Sequence, residues 1–360
     1  MEFGLNRKVE DMASMAIENR EVTWKILDIS IRGTITGPMG KGPYPAVVLL
    51  AGSGPTDRNW CSPLIPGTNG TAKMLAESLA NSGFVTLRYD KLGSGPDVKE
   101  NLPKLAGKVG MQTFVEELTG AVGTLVAQDN VDRHRLFALG NSEGCIHAVN
   151  YQLQAEHDSF RGLILTGAPG RPVGVVARNQ LVDQMNFLHN GKGVTGVIIN
   201  LISKVKPLPE TKVTLEKYDE TISQFIAGQP VRPDPSLPKG VKKLLQSLTS
   251  PTNQPFSREL WTYNLTEHLP KLHEPVLVVI GKKDIQVDWK VDGKALEDAT
   301  SGKSGVSFVY PANSNHLLKY EAEPKEKLNA RSVTKHYNSS DAKLDEEAKD
   351  HIIDWMRAQA

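Results

Sequence analysis

Residues 140–144 read Gly-Asn-Ser-Glu-Gly and place a serine two positions from a glycine on either side. The apolar run 135–139 before them predicts a buried strand, and the run 145–149 after them predicts the start of a helix. A chain that turns from strand to helix through one residue must hold that residue in a strained conformation, and small flanking residues let the two elements pack closely. The strain lifts the hydroxyl clear of the sheet. The pattern therefore predicts that Ser142 is a nucleophile.

A serine hydroxyl needs a base to remove its proton, and the base is normally a histidine oriented by a carboxylate. In an open parallel sheet these groups lie in loops beyond the carboxyl ends of the strands. Asp284 comes just after the apolar run 275–280, and His316 follows the run 306–310 in a polar loop. The order serine, aspartate, histidine is the chain order of one class of hydrolases. Ser142, Asp284 and His316 are therefore the predicted catalytic residues.

Each of these residues also has a simpler interpretation. Ser142 or Asp284 could cap the helix that follows it. Asp288 and Asp292 are rival carboxylates, but the sequence places both inside that helix, past the strand end. His316 competes with eight other histidines, and it is the one that lies just beyond a late strand. The position after a strand end therefore favours Asp284 and His316.

The negative oxygen that forms during attack on a carbonyl must be held by preorganised donors, usually two backbone N–H groups. One donor is expected from Glu143, the residue after the nucleophile, and the other from Ser53 in the glycine-rich loop 51–55. The alternative for this loop is a tight turn without a catalytic role. No role is assigned to the side chain of Glu143, and the loop 88–95 after another strand is interpreted as structural scaffolding.

Strands and helices alternate through the first part of the chain, which predicts a mostly parallel sheet with helices on both faces. A polar lead-in, for which a helix is one interpretation, covers residues 1–20, and two antiparallel strands are expected within 21–36. Further strands and helices are expected near 45–50, 71–80, 84–88, 114–126, 135–139, 162–166, 275–280, 306–310 and 344–355.

The alternation stops near residue 171, and apolar spacing at 181–188 and 194–202 then favours amphipathic helices. We therefore expect a core formed by residues 1–170 and 270–360, with residues 171–269 inserted as a helical lid. Five apolar residues of this region either line an acyl pocket or form the core of the lid: Met185, Phe187, Leu188, Phe225 and Trp261.

The chain has 360 residues and a formal net charge of +1, which gives no electrostatic reason to expect nucleic acid or an anionic membrane as partner. No signal peptide or membrane-spanning run is found, and the two cysteines, Cys61 and Cys145, are interpreted as free thiols in a reducing compartment. No spacing suits a metal site, and no cofactor is expected. These observations predict a cytoplasmic protein with a small-molecule substrate; a homo-oligomer is possible.

Five segments together resemble the α/β-hydrolases, and more narrowly the bacterial carboxylesterases of the dienelactone-hydrolase-like and serine-aminopeptidase-like group: 51–59, 88–91, 140–144, 281–287 and 315–316. The resemblance covers nearly the whole chain. It implies an eight-stranded, mainly parallel sheet and cofactor-free cleavage of short-chain carboxylic esters by Ser142, Asp284 and His316.

The sequence departs from this group at Asn141, where histidine is common, and at Cys145, where glycine is common. Both positions adjoin the nucleophile, so substrate preference is open. A peptidase or thioesterase with the same triad is the nearest alternative, although no carboxylate of the lid stands out as an anchor for a charged peptide terminus. A ligand-binding relative without turnover is the third possibility.

Overall fold

The computed structural model describes residues 16–360 except 64, 66, 157, 191–209, 330–331 and 333–335. In this part of the chain eight strands form one sheet: β1 Ile17–Ile26, β2 Ile29–Pro38, β3 Tyr44–Leu50, β4 Val85–Tyr89, β5 Val131–Asn141, β6 Gly162–Thr166, β7 Val276–Val279 and β8 Val306–Val309. The order across the sheet is β1-β2-β4-β3-β5-β6-β7-β8. The predicted eight-stranded sheet is confirmed.

Strand direction follows the prediction as well. The pairs β1–β2 and β2–β4 are antiparallel. The remaining neighbours in the sheet, which follow the order β4-β3-β5-β6-β7-β8, are all parallel. The interpretation of residues 1–20 as a lead-in, with a helix as one option, is wrong for its last part, because β1 already begins at Ile17. Backbone hydrogen bonds to β2 stabilise the strand from Ile17 onward, and the polar sequence of this segment does not reveal them. Residues 1–15 lie outside the described part.

The described α-helices are α1 Thr71–Asn81, α2 Val98–Leu105, α3 Met111–Val126, α4 Glu143–Gln154, α5 Val173–Asn190, α6 Thr211–Ile226, α7 Lys239–Thr249, α8 Phe256–Thr262, α9 Lys294–Ala299 and α10 Glu346–Gln359. Short 3₁₀ helices lie at Pro251–Asn253, Leu265–Glu267, Leu269–Lys271 and Lys325–Lys327, and a π-helical turn at Trp289–Gly293. The apolar spacing noted at 194–202 lies outside the described residues.

Helices cover both faces of the sheet, because the parallel strands are buried on both sides. On one face α3 and α4 pack residues such as Leu118 and Val149 against the strands. On the other face α1 and α10 contribute Leu75 and Ile352 to a second cluster. The two clusters form the core that holds the strand ends in fixed positions.

Helices α5 to α8 follow β6 and precede β7 in the chain, and they form a separate helical layer. They pack around their own apolar cluster, which includes Met185, Phe225 and Trp261. Of the five residues considered for an acyl pocket, these three therefore belong to the helical layer, and the side chains of Phe187 and Leu188 are outside the described set. The division of the chain into core and lid stays a prediction.

The sheet has a topological switch point between β3 and β5. From β3 the chain moves outward to β4 and then returns past β3 to β5 on the other side. Loops that leave adjacent strands in opposite directions open a crevice at the carboxyl ends of those strands, and ligands bind there in open α/β sheets. The loop after β3 and the turn at Ser142 after β5 flank this crevice.

Candidate active site

The strand–serine–helix turn predicted from residues 140–144 is present. β5 ends at Asn141, α4 begins at Glu143, and Ser142 between them has φ 54° and ψ −117°. A β-carbon at Gly140 would lie 2.5 Å from the carbonyl oxygen of Gly144, and one at Gly144 would lie 2.5 Å from that of Leu50. These contacts are with backbone atoms, which cannot move aside. The two glycines are therefore required for the close packing that supports the strained serine.

His316 and Asp284 are brought together from the loops after β8 and β7. The imidazole Nδ1 lies 2.7 Å from Oδ2 of Asp284, and both side chains are buried. The other carboxylate oxygen of Asp284 accepts the backbone N–H groups of Gln286 and Val287, at 2.7 and 3.0 Å. The same carboxylate thus closes the turn after β7 and bonds to the histidine ring, so the turn-capping interpretation does not exclude the functional one.

The two rival aspartates have other partners. Asp288 caps the π-helical turn through the N–H of Lys290 and pairs with Lys325. Asp292 is buried and pairs with Arg171 at 2.7 Å, which ties the start of the α5 region to the segment after β7. The expectation that Asp288 lies inside a helix is wrong by one residue, because it is the N-cap. Neither carboxylate is bonded to His316.

Two residues next to the triad fix the position of the histidine. Asn141 donates a hydrogen bond from Nδ2 to the backbone carbonyl of His316, at 3.0 Å. Gly167 follows β6 with φ +55°, and a β-carbon there would lie 2.9 Å from the His316 ring. Asn141, which is one of the departures from the resembled group, therefore links the serine turn directly to the histidine loop.

Ser142, Asp284 and His316 line one cavity of about 1580 Å³. The loop after β3 also reaches this cavity, with Gly52 and Ser53 in its wall. Much of the remaining wall is apolar and comes from α3, α4, α5 and α8: Phe114, Ile146, Val176, Phe256, Leu260 and Trp261. The structure therefore brings together at one cavity all five residues singled out from the sequence, since Glu143 lines it as well.

The loop after β3 lies directly against the serine turn. A β-carbon on Gly52 would be 3.3 Å from the β-carbon of Ser142, and the hydroxyl of Thr56 donates to the carbonyl oxygens of Ser53 and Gly54 at 3.2 Å. In the described part of the chain, the backbone N–H groups of Ser53 and Glu143 donate to no other protein group. Both are therefore available to an oxygen in the cavity.

The side chain of Glu143, to which no role was assigned, is buried in an ion pair. Its Oε1 lies 2.8 Å from Nζ of Lys91 and 3.2 Å from Nε2 of His147. Burial would raise the pKa of the Glu143 carboxyl, but the Lys91 ammonium and the His147 hydrogen bond outweigh burial and hold this pKa well below its usual range. Lys91 belongs to the loop interpreted as scaffolding, so the sequence did not identify this contact.

A second buried carboxyl lies behind the ion pair. Glu117 on α3 accepts the backbone N–H of Leu92 at 2.6 Å. Burial raises the pKa of Glu117 to about 8, although the Leu92 hydrogen bond and the Lys91 charge oppose the shift. Burial also lowers the pKa of His147 against the influence of Glu143. Burial therefore favours the neutral forms of Glu117 and His147, whereas the neighbouring Lys91 favours the ionised form of Glu143.

Cys61 and Cys145 are both free thiols, as predicted. Burial raises the pKa of the Cys145 thiol, which packs beneath the serine turn and is inert as a nucleophile. Across the residues that the structure describes, no cluster of histidine, cysteine or acidic side chains could hold a metal ion. Within the same residues, none of the helices combines the length and the apolarity that a bilayer crossing demands.

Comparisons of the sequence with characterised proteins give two relatives. The chain is 26% identical over 299 residues to esterase EstD of Thermotoga maritima, covering 81% of this chain and 59% of that protein. It is 23% identical over 253 residues to a proline iminopeptidase of Lacticaseibacillus rhamnosus, covering 70% of this chain and 81% of the relative. The chain therefore spans less than two thirds of the esterase. No family model matches the chain.

Solved structures share the fold. A proline iminopeptidase of Mycobacterium smegmatis superposes with a TM-score of 0.53 at 15% identity, covering 94% of this chain and 98% of that one. The protein VinJ superposes with a TM-score of 0.52 at 16% identity, covering 95% and 99%. The shared fold and the two relatives support the α/β-hydrolase superfamily, as the resemblance seen in the sequence implies, and the narrower carboxylesterase group stays a prediction.

Proposed function

We propose that this protein is a serine hydrolase that cleaves carboxylic esters through an acyl-enzyme on Ser142. The observation that carries the proposal is the convergence of Ser142 and the hydrogen-bonded pair His316–Asp284 on one cavity. The similarity to an esterase over 81% of the chain supports the choice of ester as substrate.

In the proposed reaction His316 Nε2 removes the proton from Ser142 Oγ as the oxygen attacks the ester carbonyl. Asp284 accepts the Nδ1–H of His316, which keeps the other ring nitrogen free to act as base and stabilises the imidazolium that forms. The buried position of Asp284, with two backbone N–H groups on its second oxygen, holds the ring in a single orientation.

The negative oxygen of the tetrahedral intermediate is held by the N–H groups of Ser53 and Glu143. Each preorganised donor of this kind is worth about 3–4 kcal/mol of transition-state stabilisation. His316 then returns its proton to the leaving alcohol, and a water molecule activated by the same histidine hydrolyses the acyl-enzyme. In each half of the cycle His316 accepts one proton, first from Ser142 and then from water, and returns it to the departing oxygen.

The family resemblance implies short acyl chains, and the apolar cavity wall suits the hydrocarbon part of such a substrate. The cavity volume of about 1580 Å³ also has room for longer chains. We propose that residues 171–269 act as the lid of this cavity. Cytoplasmic location and a possible homo-oligomer stay predictions.

A peptidase is the second candidate, for two reasons. One relative is a proline iminopeptidase, and the carboxylate-bearing Asp183 on α5 lines the cavity. From the sequence we expected no lid carboxylate that could anchor a charged amine; Asp183 lies in the cavity wall and is a candidate for that role. A peptidase would use the same triad and the same oxyanion donors as an esterase, so the two functions differ only in the substrate that is cleaved.

The test is hydrolysis of p-nitrophenyl esters from acetate to laurate by wild type, Ser142→Ala and Ser78→Ala. Ser78 is the matched control because its hydroxyl bonds to Met74 within α1, away from the cavity. We expect Ser142→Ala to lose at least about 10⁴-fold in kcat and Ser78→Ala to retain wild-type activity. Undiminished turnover by Ser142→Ala would refute the mechanism.

The same preparations should be offered a prolyl p-nitroanilide and an acyl-CoA thioester. Faster cleavage of the anilide than of any ester would favour the peptidase, and faster cleavage of the thioester would favour a thioesterase. Labelling of Ser142 by a fluorophosphonate would support competent hydrolase chemistry, whereas tight ligand binding without labelling or turnover would identify a ligand-binding relative.

A further inference from the structure

Lys91 is a buried lysine that bonds to both sides of the crevice beside Ser142. Its ammonium Nζ donates to the carbonyl oxygen of Gly52 at 2.6 Å and to Oε1 of Glu143 at 2.8 Å. Lys91 is 6% exposed and Glu143 is 5% exposed. A buried ion pair contributes little net stability, because the desolvation of both charges offsets their attraction. A role in geometry explains its position better than a role in stability.

The first of these bonds fixes the orientation of a proposed oxyanion donor. The carbonyl of Gly52 and the N–H of Ser53 belong to one peptide unit, and this unit is trans. In a planar trans peptide the C=O and N–H bonds point in opposite directions. When Lys91 holds the oxygen on one side, the N–H of Ser53 must point to the other side, where it donates to no protein group of the described chain.

The second bond acts on the residue that carries the other donor. Glu143 supplies its backbone N–H at the start of α4, and its side chain is held by the same ammonium. His147, one turn further along α4, bonds to the same carboxylate oxygen and stacks on Phe114 with ring centroids 4.4 Å apart. The ammonium also lies 5.8 Å from the centre of the Phe114 ring. The lysine is thus confined by packing as well as by charge.

We propose that Lys91 is a positioning residue that holds the Ser53 and Glu143 N–H groups at the separation and direction needed to bind the oxyanion. The inference rests on the proposed hydrolase function and identifies a residue outside the triad that this function requires. Its positive charge also polarises the Gly52–Ser53 peptide, which makes the N–H of Ser53 a stronger donor.

The first variant is Lys91→Met, which keeps the apolar stem and removes the ammonium. Misplacing one oxyanion donor costs about 10²–10³-fold in kcat, so we expect a loss of at least about 100-fold with KM changed by less than about threefold. Affinity for a boronic acid, which forms a tetrahedral adduct on serine, should fall by a similar factor. Affinity for a ground-state product acid should not change.

A second variant separates positioning from charge compensation. Lys91→Met leaves the Glu143 carboxylate buried without its partner, whereas Lys91→Met combined with Glu143→Gln removes both charges. If Lys91 only neutralises Glu143, the double variant regains wild-type kcat. If Lys91 positions the Gly52–Ser53 peptide, the double variant stays at least about 100-fold impaired, although it folds and unfolds like wild type.

The matched control is Glu117→Gln, a change in the same cluster that keeps the acceptor for Leu92. It should leave kcat at neutral pH within about twofold. Wild-type ester hydrolysis and its loss in Ser142→Ala test the proposed function separately. With both of those established, near-wild-type kcat in Lys91→Met or in the double variant would overturn the positioning role alone.

Discussion

Replacement of Asp284 by asparagine tests the orientation of the histidine without removing the turn that holds it. One carboxylate oxygen accepts the N–H groups of Gln286 and Val287, and the other lies 2.7 Å from Nδ1 of His316. An asparagine keeps both backbone bonds only if its carbonyl oxygen takes the first position. Its amide nitrogen must then face His316 Nδ1.

This exchange inverts the tautomer of the histidine. An amide N–H donates, so Nδ1 of His316 must become the acceptor, and the ring proton moves to Nε2. A protonated Nε2 cannot accept the proton of Ser142. An inversion of this kind in a related triad lowers kcat by about 10⁴-fold, which corresponds to about 5.5 kcal/mol in the barrier. Stability should change little, because both turn hydrogen bonds persist.

Steady-state hydrolysis of a p-nitrophenyl ester at neutral pH measures the effect, with urea unfolding as the check on the fold. The control is Asp288→Asn, which removes the rival carboxylate and its pair with Lys325. We expect about 10⁴-fold loss of kcat for Asp284→Asn and a change within about threefold for Asp288→Asn. A folded Asp284→Asn protein that loses less than tenfold in kcat would refute this account of His316.

Two further predictions concern the packing around the serine and the cluster behind it. In Gly144→Ala the new methyl would lie 2.5 Å from the Leu50 carbonyl oxygen. We therefore expect the free energy of unfolding in urea to fall by about 1–3 kcal/mol and kcat to fall more than tenfold. The control is Gly123→Ala, which should not destabilise the protein because nothing lies within 4 Å of its β-carbon. Burial raises the pKa of Glu117 from 4.5 to about 8. Between these pH values the carboxyl is protonated in the folded protein and ionised in the unfolded chain, so the free energy of unfolding of wild type falls as pH rises. The stability of Glu117→Gln relative to wild type should therefore rise by about 4 kcal/mol between pH 5 and pH 8.5 in urea titrations, and a constant difference would contradict the raised pKa.

The fold and the meeting of the candidate site residues could be predicted from the sequence, because both follow from the order of strands and loops along the chain. Apolar runs ending in glycine or a polar residue mark buried strands, and parallel strands bring their carboxyl ends to one edge. That rule predicted the meeting of Asp284 with His316, residues that lie 32 positions apart and now share a hydrogen bond. The antiparallel start of the sheet was predicted as well, although its first residues were assigned to the lead-in.

The helical layer between β6 and β7 was predicted less completely. Helix α6 lies in a polar, proline-rich stretch, and its signal is the spacing of Tyr218, Ile222 and Phe225, which are all buried in the layer's own cluster. The sequence pattern is correspondingly weak, and packing against neighbouring helices decides the structure.

The Lys91–Glu143 pair lay beyond sequence reasoning for a different reason. Each residue was placed correctly beside the crevice, one after β4 and one at the start of α4. A lysine and a glutamate in such loops are usually solvated, and only burial turns them into a coupled pair. Burial depends on how α3, α4 and the loops pack together, and no local pattern encodes that.

The three loops that meet at the switch point differ in what holds them in place. The histidine loop is tied to the serine turn by the amide of Asn141, and the turn after β7 is closed by Asp284 itself. The loop after β3 has no comparable bond from the triad, and its link to α4 runs through Lys91. Changes at Lys91 should therefore act on the oxyanion donors and leave the His316–Asp284 bond intact. Asn141 also lies against Gly52, since a β-carbon on Gly52 would be 3.3 Å from the Asn141 Oδ1 atom. Because Lys91 and Asn141 share this neighbour, we expect kcat of the double variant to depart from the product of the two single effects.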